Sequence, residues 1–169
     1  MEAQAFIGMG SNLAHPRRQL ARAARALSRI PATRVVAVSS NYTSAPVGAD
    51  VPQPDYVNAV AQLVTSLPPR ALLRELMLIE RRQQRTRDAG GRRNLPRTLD
   101  LDLLLYGART LRTGRLSLPH PRMHERAFVL LPLAEIAPSV RVPGRGLARR
   151  WLARAAGQRI APTRAHILH

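Results

Sequence analysis

The apolar positions change period from segment to segment along the chain, and each period predicts an element. Ala3 to Met9 is a short apolar run closed by Gly10-Ser11-Asn12, the mark of a buried strand ending in a turn. From Pro16 to Ile30, Leu20, Ala23, Ala24, Leu27 and Ile30 fall on one helical face and Arg18, Arg22, Arg25 and Arg29 on the other, which predicts an amphipathic helix. Arg34 to Tyr42 is β-branched and apolar and predicts a strand, followed by a loop rich in Gly, Pro and Asp from Ser44 to Pro54. Tyr56 to Thr65 alternates: Val57, Ala59, Ala61 and Leu63 share one face, and Tyr56, Asn58 and Gln62 share the other. Pro68 and Pro69 open a helix running to about Gln84, with Leu72, Leu73, Leu76 and Ile79 at helical spacing. Residues 85–97 are too polar for a core and read as a loop, after which Thr98 to Tyr106 is the clearest strand in the chain. Met123 to Ile136 predicts a helix buried on much of its surface, and Gly146 to Ala156 a shorter, basic one.

The order strand, helix, strand, strand, helix, strand predicts an α+β fold, a ferredoxin-like α/β sandwich with a mainly antiparallel sheet and helices packed on its faces. No repeat or linker divides the sequence, so one domain over residues 1–169 is expected, with 157–169 as a flexible basic tail.

Composition narrows the chemistry. The 169 residues include no cysteine, which removes disulfides, thiolate nucleophiles and sulfur-ligated zinc. The N-terminal residues lack a basic segment leading into an apolar one, and the apolar run Ala127–Ala134 is far short of the ~20 residues that span a bilayer. A soluble, cytoplasmic protein with no membrane partner is expected. All 27 basic residues are arginine, against 10 acids, for a net charge of +17. Without a lysine there is no Walker A loop and no Schiff-base chemistry. Genome composition is the plain reading of an all-arginine usage, although the guanidinium fork also suits phosphate recognition. Charge alone does not separate a nucleotide, a nucleic acid and a solvated surface.

The most informative segment is Thr98-Leu99-Asp100-Leu101-Asp102-Leu103. In a strand Asp100 and Asp102 share a face with Cα atoms about 7 Å apart, and the leucines share the other. Two readings stand: a solvated face neutralised by neighbouring arginines, and a hard-cation site. The second is favoured, because two of only ten acids lie side by side in an otherwise apolar strand and Mg²⁺ takes one or two carboxylates plus phosphate oxygens. The loop before the pair carries Arg85, Arg87, Arg92, Arg93 and Arg97, and carboxylates beside guanidiniums are the equipment of phosphoryl transfer. Gly8-Met9-Gly10-Ser11-Asn12-Leu13 is not a dinucleotide fingerprint, because Leu13 stands where the third glycine belongs. His120 and His124 are separated by Pro121 and do not read as a zinc site. His124 is expected to be a satisfied turn histidine and His120 a phosphate donor.

Five segments occur in the order and with the character of one family: Ile7-Gly8-Met9-Gly10-Ser11-Asn12-Leu13, Ser44-Ala45-Pro46-Val47-Gly48, Gln53 to Ala59, Pro96 to Leu104, and Leu118-Pro119-His120-Pro121-Arg122-Met123 leading into Glu125-Arg126-Ala127-Phe128. Over residues 5 to about 138 the chain resembles the 6-hydroxymethyl-7,8-dihydropterin pyrophosphokinases of folate biosynthesis. The resemblance implies Mg²⁺-dependent transfer of the β,γ-diphosphate of ATP to the hydroxymethyl oxygen of the reduced pterin, with AMP released. It implies that Asp100 and Asp102 are ligands of two Mg²⁺ ions, that Arg85 and Arg97 act on the phosphates, and that Arg87, Glu80, Arg115, Ser117, His120 and Arg126 lie near ATP. It places the pterin between Tyr56 and Phe128, read by Asn58 and by backbone groups around Ser44, Ala45 and Val47. ATP and the pterin are then the partners, and a monomer is expected. Departures from the family are Asn94, where members often carry tryptophan, Gly90-Gly91, Met77 and Pro121. The competing readings are an Arg-rich nucleic-acid-binding module and a same-fold enzyme with an altered acceptor. Only 4% aromatic residues and the lack of a helix-turn-helix or RNP-like signature argue against the first.

Overall fold

A computed structural model of the chain describes residues 1–12, 15–46, 54–84 and 99–163. In chain order the elements are β1 (Ala3–Ser11), α1 (Pro16–Leu27), β2 (Thr33–Val38), β3 (Tyr42–Ser44), β4 (Tyr56–Thr65), α2 (Pro69–Gln83), β5 (Asp100–Tyr106), β6 (Leu111–Arg112) and β7 (Ser117–Leu118). A 3-10 turn (Met123–Glu125), α3 (Ala127–Ile136), β8 (Arg141–Val142), β9 (Gly146–Leu147), a 3-10 helix (Ala148–Ala155) and β10 (Ile160–Pro162) follow.

The long strand β4 organises the main sheet. It pairs along its whole length with β1, and its free side is shared by β3 at one end and β2 at the other. With β5 on the far side of β1 and β10 outside β3, the order is β10-β3-β4-β1-β5, with antiparallel pairing between neighbours. The first, second, third and fourth long strands therefore lie in the ferredoxin-like order, with α1 and α2 as the two crossovers.

Period two sends alternate side chains to two cores. On one face Ile7, Met9, Ala59, Ala61, Leu63, Leu101 and Leu103 pack with Leu20, Ala23 and Leu27 of α1 and Leu72, Leu76 and Ile79 of α2. Burying each large side chain contributes about 1.5–3 kcal/mol before conformational entropy is subtracted. On the other face Phe6, Val60, Leu104 and Leu105 pack under Val129, Leu130 and Leu133 of α3. Adjacent residues Leu104 and Leu105 both reach that core because the register slips between Phe6 and Ile7: Phe6 faces Leu105 and Ile7 faces Leu103, so Leu104 is the extra residue of a bulge.

Four boundaries differ from expectation. Gly10 and Ser11 are strand residues of β1 and not a turn. The single strand expected over Arg34–Tyr42 is two, β2 and β3, and a register shift between Val35 and Ala37 leaves Val36 as the extra residue, on the same exposed edge of the alternation as Arg34 and Val38. The helix expected from Met123 is interrupted at Arg126, whose backbone is extended. The basic helix at Gly146 is a 3-10 helix entered from β9.

The tail expected to be flexible from residue 157 is in part structured, since β10 pairs with β3 and Arg159 makes a two-pronged ion pair with Asp55 at 2.9 and 3.2 Å. The basic C-terminal segment thus has intramolecular partners: Arg145 and Arg154 stack over the Trp151 ring, whose indole N–H donates to the Arg145 carbonyl at 3.1 Å. Among the described residues no helix is long and apolar enough to cross a membrane.

Candidate active site

Strand register brings the predicted residues into two rows. Asp100 faces Gly10 on β1, Gly10 faces Asn58 on β4, and Asn58 faces Tyr42 on β3. In the next row Asp102 faces Gly8, which faces Val60. Residues opposite one another point to the same face, so both carboxylates, Asn58 and its neighbour Tyr56 share the α3 side of the sheet. Between Asp100 and the Asn58 amide stands Gly10, a gap of two strand spacings, about 10 Å, with backbone beneath it, while in the next row the Leu104 side chain lies beside Gly8.

Gly8 and Gly10, part of the segment Ile7 to Leu13 but given no role by the sequence reading, repeat at the strand period, as Asp100 and Asp102 do. A Cβ on Gly10 would lie 3.2 Å from the Asn58 side-chain oxygen, whereas one on Gly8 would meet Leu104 at an ordinary 3.5 Å. Gly10→Ala is therefore expected to raise the KM for an acceptor lying on this floor about tenfold, with Gly8→Ala milder. Equal effects of the two changes in acceptor titrations would contradict the assignment.

Asn58 is buried, and its orientation is fixed by what it touches. Its amide nitrogen donates to the Ser44 hydroxyl at 2.7 Å and to the Tyr42 carbonyl at 3.4 Å. Both of its protons have acceptors on β3, so the side-chain oxygen is left facing Gly10 as an acceptor for an N–H edge. Tyr42 is itself held, its hydroxyl donating to Glu135 of α3 at 2.6 Å, and Glu135 also takes the Ser40 backbone N–H at 2.8 Å. Burial and the Glu135 carboxylate push the Tyr42 phenol up to about 12. Burial alone would raise Glu135, but the hydrogen bonds from Tyr42 and Ser40 outweigh it and hold the carboxyl below its ordinary range. Ala45 directly follows β3, and Val47 lies outside the described residues.

The cationic side is built where the chain breaks before α3. Arg126 stands at the N-cap of that helix with its guanidinium over the Phe128 ring, 5.4 Å from the centroid. Burial lowers its pKa, while Asp102 and then Asp100 act in the opposite sense, so the guanidinium lies within electrostatic reach of the carboxylate pair. His120 completes this side. Its backbone N–H is held by the Leu104 carbonyl at 2.9 Å, and its Nδ1 accepts the Arg122 backbone N–H at 3.2 Å. With Nδ1 an acceptor, the ring proton is on Nε2.

Burial, Arg126 and Arg122 push His120 down to about 4, and burial followed by Arg145 lowers His124 against a smaller opposing effect of Glu125. Both histidines are neutral at pH 7. A histidine whose folded pKa lies below its unfolded value near 6.5 destabilises the fold only as the unfolded chain begins to take up the proton. Thermal stability is therefore expected to be level above pH 6.5 and to fall between pH 6.5 and 4. His120→Asn keeps an acceptor for the Arg122 amide and should flatten that fall in melting curves. An unchanged slope would show that His120 is not its source. His124 is buried edge-on to Trp151, ring centroids 5.0 Å apart, and its Nδ1 has no hydrogen-bond partner among the described residues. It belongs to the packing of the C-terminal segment, and the expectation of a fully satisfied turn histidine is corrected at that atom.

The remaining expected residues are placed less closely. Glu80 accepts the Leu101 backbone N–H at 3.0 Å, which anchors β5 to α2. Ser117 is in β7, opposite Arg112 in a separate two-stranded hairpin, and Arg115 is exposed just before it. Arg85, Arg87 and Arg97 lie outside the described residues, as do Gly90-Gly91 and Asn94. Among the described residues no group of three or more His, Asp or Glu side chains forms a metal cage. Two half-buried carboxylates on one sheet face still fit a hard cation that keeps its other positions for water and phosphate oxygens.

Residues 6–138 match the family described as 7,8-dihydro-6-hydroxymethylpterin-pyrophosphokinase. The chain is 51% identical over 144 residues to the 2-amino-4-hydroxy-6-hydroxymethyldihydropteridine pyrophosphokinase of Pseudomonas aeruginosa, covering 85% of this chain and 86% of that protein. It is 49% identical to the enzyme of the same name from Haemophilus influenzae, covering 82% of this chain and 84% of that one. Among solved structures, a protein described as HPPK-DHPS in complex with substrates superposes with a TM-score of 0.68 at 13% identity, over 91% of this chain and 43% of that one. A Plasmodium falciparum HPPK-DHPS gives 0.68 at 11% identity, over 91% and 42%. At such identities the two structures speak for the fold.

Proposed function

This chain belongs to the 7,8-dihydro-6-hydroxymethylpterin-pyrophosphokinase family, and from that premise we infer that it transfers the β,γ-diphosphate of ATP to the hydroxymethyl group of 6-hydroxymethyl-7,8-dihydropterin in folate biosynthesis. The observation that carries the reading onto this site is the pairing of Asp100 and Asp102 with an oriented Asn58 across a glycine floor.

The hydroxymethyl oxygen attacks the β-phosphorus, the bond from that phosphorus to the α-phosphate oxygen breaks, and AMP departs while the hydroxyl proton is lost. Because transfer at phosphorus needs little covalent help from the protein, catalysis is mainly positioning and charge stabilisation. The gap of about 10 Å between Asp100 and Asn58 accommodates a flat two-ring heterocycle on backbone alone. The Asn58 oxygen takes an N–H of the ring edge, and Tyr56 and Phe128 are assigned to its faces. That placement directs the hydroxymethyl arm toward the carboxylates.

Asp100 and Asp102 would hold Mg²⁺, two ions with ATP bound, and Mg²⁺ bound there would neutralise phosphate charge and polarise the acceptor hydroxyl. Arg126, within electrostatic reach of the pair, stabilises charge on the transferring group, and neutral His120 offers its Nε2–H to a phosphate oxygen. Glu80, Arg115 and Ser117 are assigned to the ATP side, with Arg85, Arg87 and Arg97 on the phosphates. The enzyme is read as a cytoplasmic monomer that binds both substrates on one chain.

The test is AMP formation from ATP with and without the pterin, in Mg²⁺ and again in excess EDTA. AMP that requires both pterin and Mg²⁺ is expected. AMP formed equally without pterin would overturn the acceptor, and AMP formed equally in EDTA would overturn the metal.

A further inference from the structure

Among the described residues β5 is the outermost strand of its side of the sheet, so one row of its backbone groups has no strand partner there. Two of those groups, the Leu99 carbonyl and the Leu101 N–H, are taken by side chains from the end of α2. Gln84 donates its side-chain amide to the Leu99 carbonyl, and Glu80 accepts the Leu101 N–H at 3.0 Å. The match is one of geometry and of polarity. Residues four apart on a helix are separated by about 6 Å along its axis, and the carbonyl of one strand residue and the N–H of the second residue after it point to the same side. The donor meets the carbonyl and the acceptor meets the N–H.

Asp100 lies between the two anchored residues. Because the groups of Leu99 and Leu101 face α2, strand alternation turns those of Asp100 toward Gly10 on β1, and the peptide carrying the first carboxylate is held from both edges. Two like-charged side chains at alternate positions repel, and an edge strand held on one side only yields to that repulsion. The last turn of α2 is itself fixed, since the neighbouring Gln83 amide donates to the Gln19 side chain of α1 at 2.8 Å.

We infer that Gln84, together with Glu80, is a positioning residue for the carboxylate pair, acting through the Leu99 and Leu101 peptides to hold Asp100 in register with Gly10. The inference rests on the reading of Asp100 and Asp102 as metal ligands. Gln84→Ala and Gln84→Glu, the second equal in shape but without a donor, are expected to lower kcat by about 10- to 100-fold, the usual cost of losing a group that orients a ligand. Both should also raise the Mg²⁺ concentration for half-maximal rate while the KM for pterin stays unchanged. Arg81→Ala, an exposed change in the same helix turn that leaves the Gln83–Gln19 bond in place, should leave kcat and the Mg²⁺ response as in the wild type.

Amide hydrogen exchange by NMR gives a readout independent of turnover, with faster exchange at Leu101 and Asp102 in both Gln84 variants as the expected result. Unchanged exchange at those amides overturns the inference whatever the kinetics. A lowered melting temperature with wild-type kcat and Mg²⁺ response overturns it as well. A wild-type protein that makes no AMP would refute the proposed function instead, and the exchange comparison would still decide the role of Gln84.

Discussion

Asp102→Asn is expected to reduce pterin-dependent turnover by about 10³-fold, the scale of several kcal/mol of charge stabilisation at phosphorus. Asp100→Asn should fall in the same range. Both carboxylates are on the sheet face that carries Asn58, and their strand partners Gly10 and Gly8 contribute no side chain to replace a lost ligand. Asparagine keeps the shape and the β5 ladder, so melting temperature should stay the same or rise slightly as the repulsion between neighbouring carboxylates is relieved. The check is kcat over a Mg²⁺ titration together with a thermal melt. Wild-type turnover in either variant would remove the pair from the chemistry, and a collapsed melt would show that Asp102 serves the fold.

Arg126→Ala carries the second largest expectation, a loss of about 10² in kcat/KM, the cost of one preorganised charge stabiliser. Its guanidinium is partly desolvated, stacked on Phe128 and within electrostatic reach of both aspartates. Arg126→Lys should recover only part of the loss. An ammonium has neither the planar fork that engages two phosphate oxygens nor the flat face that lies on Phe128. The KM for ATP should rise more than that for pterin. A wild-type kcat/KM in Arg126→Ala would reduce the residue to a helix cap.

The periodic parts of this molecule were legible because one physical rule governs them. Alternation over Tyr56–Thr65 gave β4 to the residue and correctly separated Val57, Ala59, Ala61 and Leu63 from Asn58. The same rule put Asp100 and Asp102 opposite Leu101 and Leu103. What escaped has no period. The slips at Leu104 and Val36 are bulges, set by partner strands distant in sequence. The break at Arg126 falls inside a segment read as one helix from Met123 to Ile136, and no adjacent glycine or proline marks the extended residue. Gly8 and Gly10 do repeat at the strand period, but their contribution is the side chain they lack, which a search for chemistry-bearing residues does not weigh. The holds on β5 from Glu80 and Gln84 join residues 21 and 15 apart, and β10 joins residues more than a hundred apart. Polar contacts at such separations exist only once the chain has folded.

The most direct test of the central claim is ³¹P NMR of the products formed from ATP, Mg²⁺ and 6-hydroxymethyl-7,8-dihydropterin. Attack at the β-phosphorus predicts an AMP singlet and two coupled resonances from a diphosphate on the pterin, growing together. ADP accompanied by a single pterin phosphate resonance would place the attack at the γ-phosphorus and contradict the account.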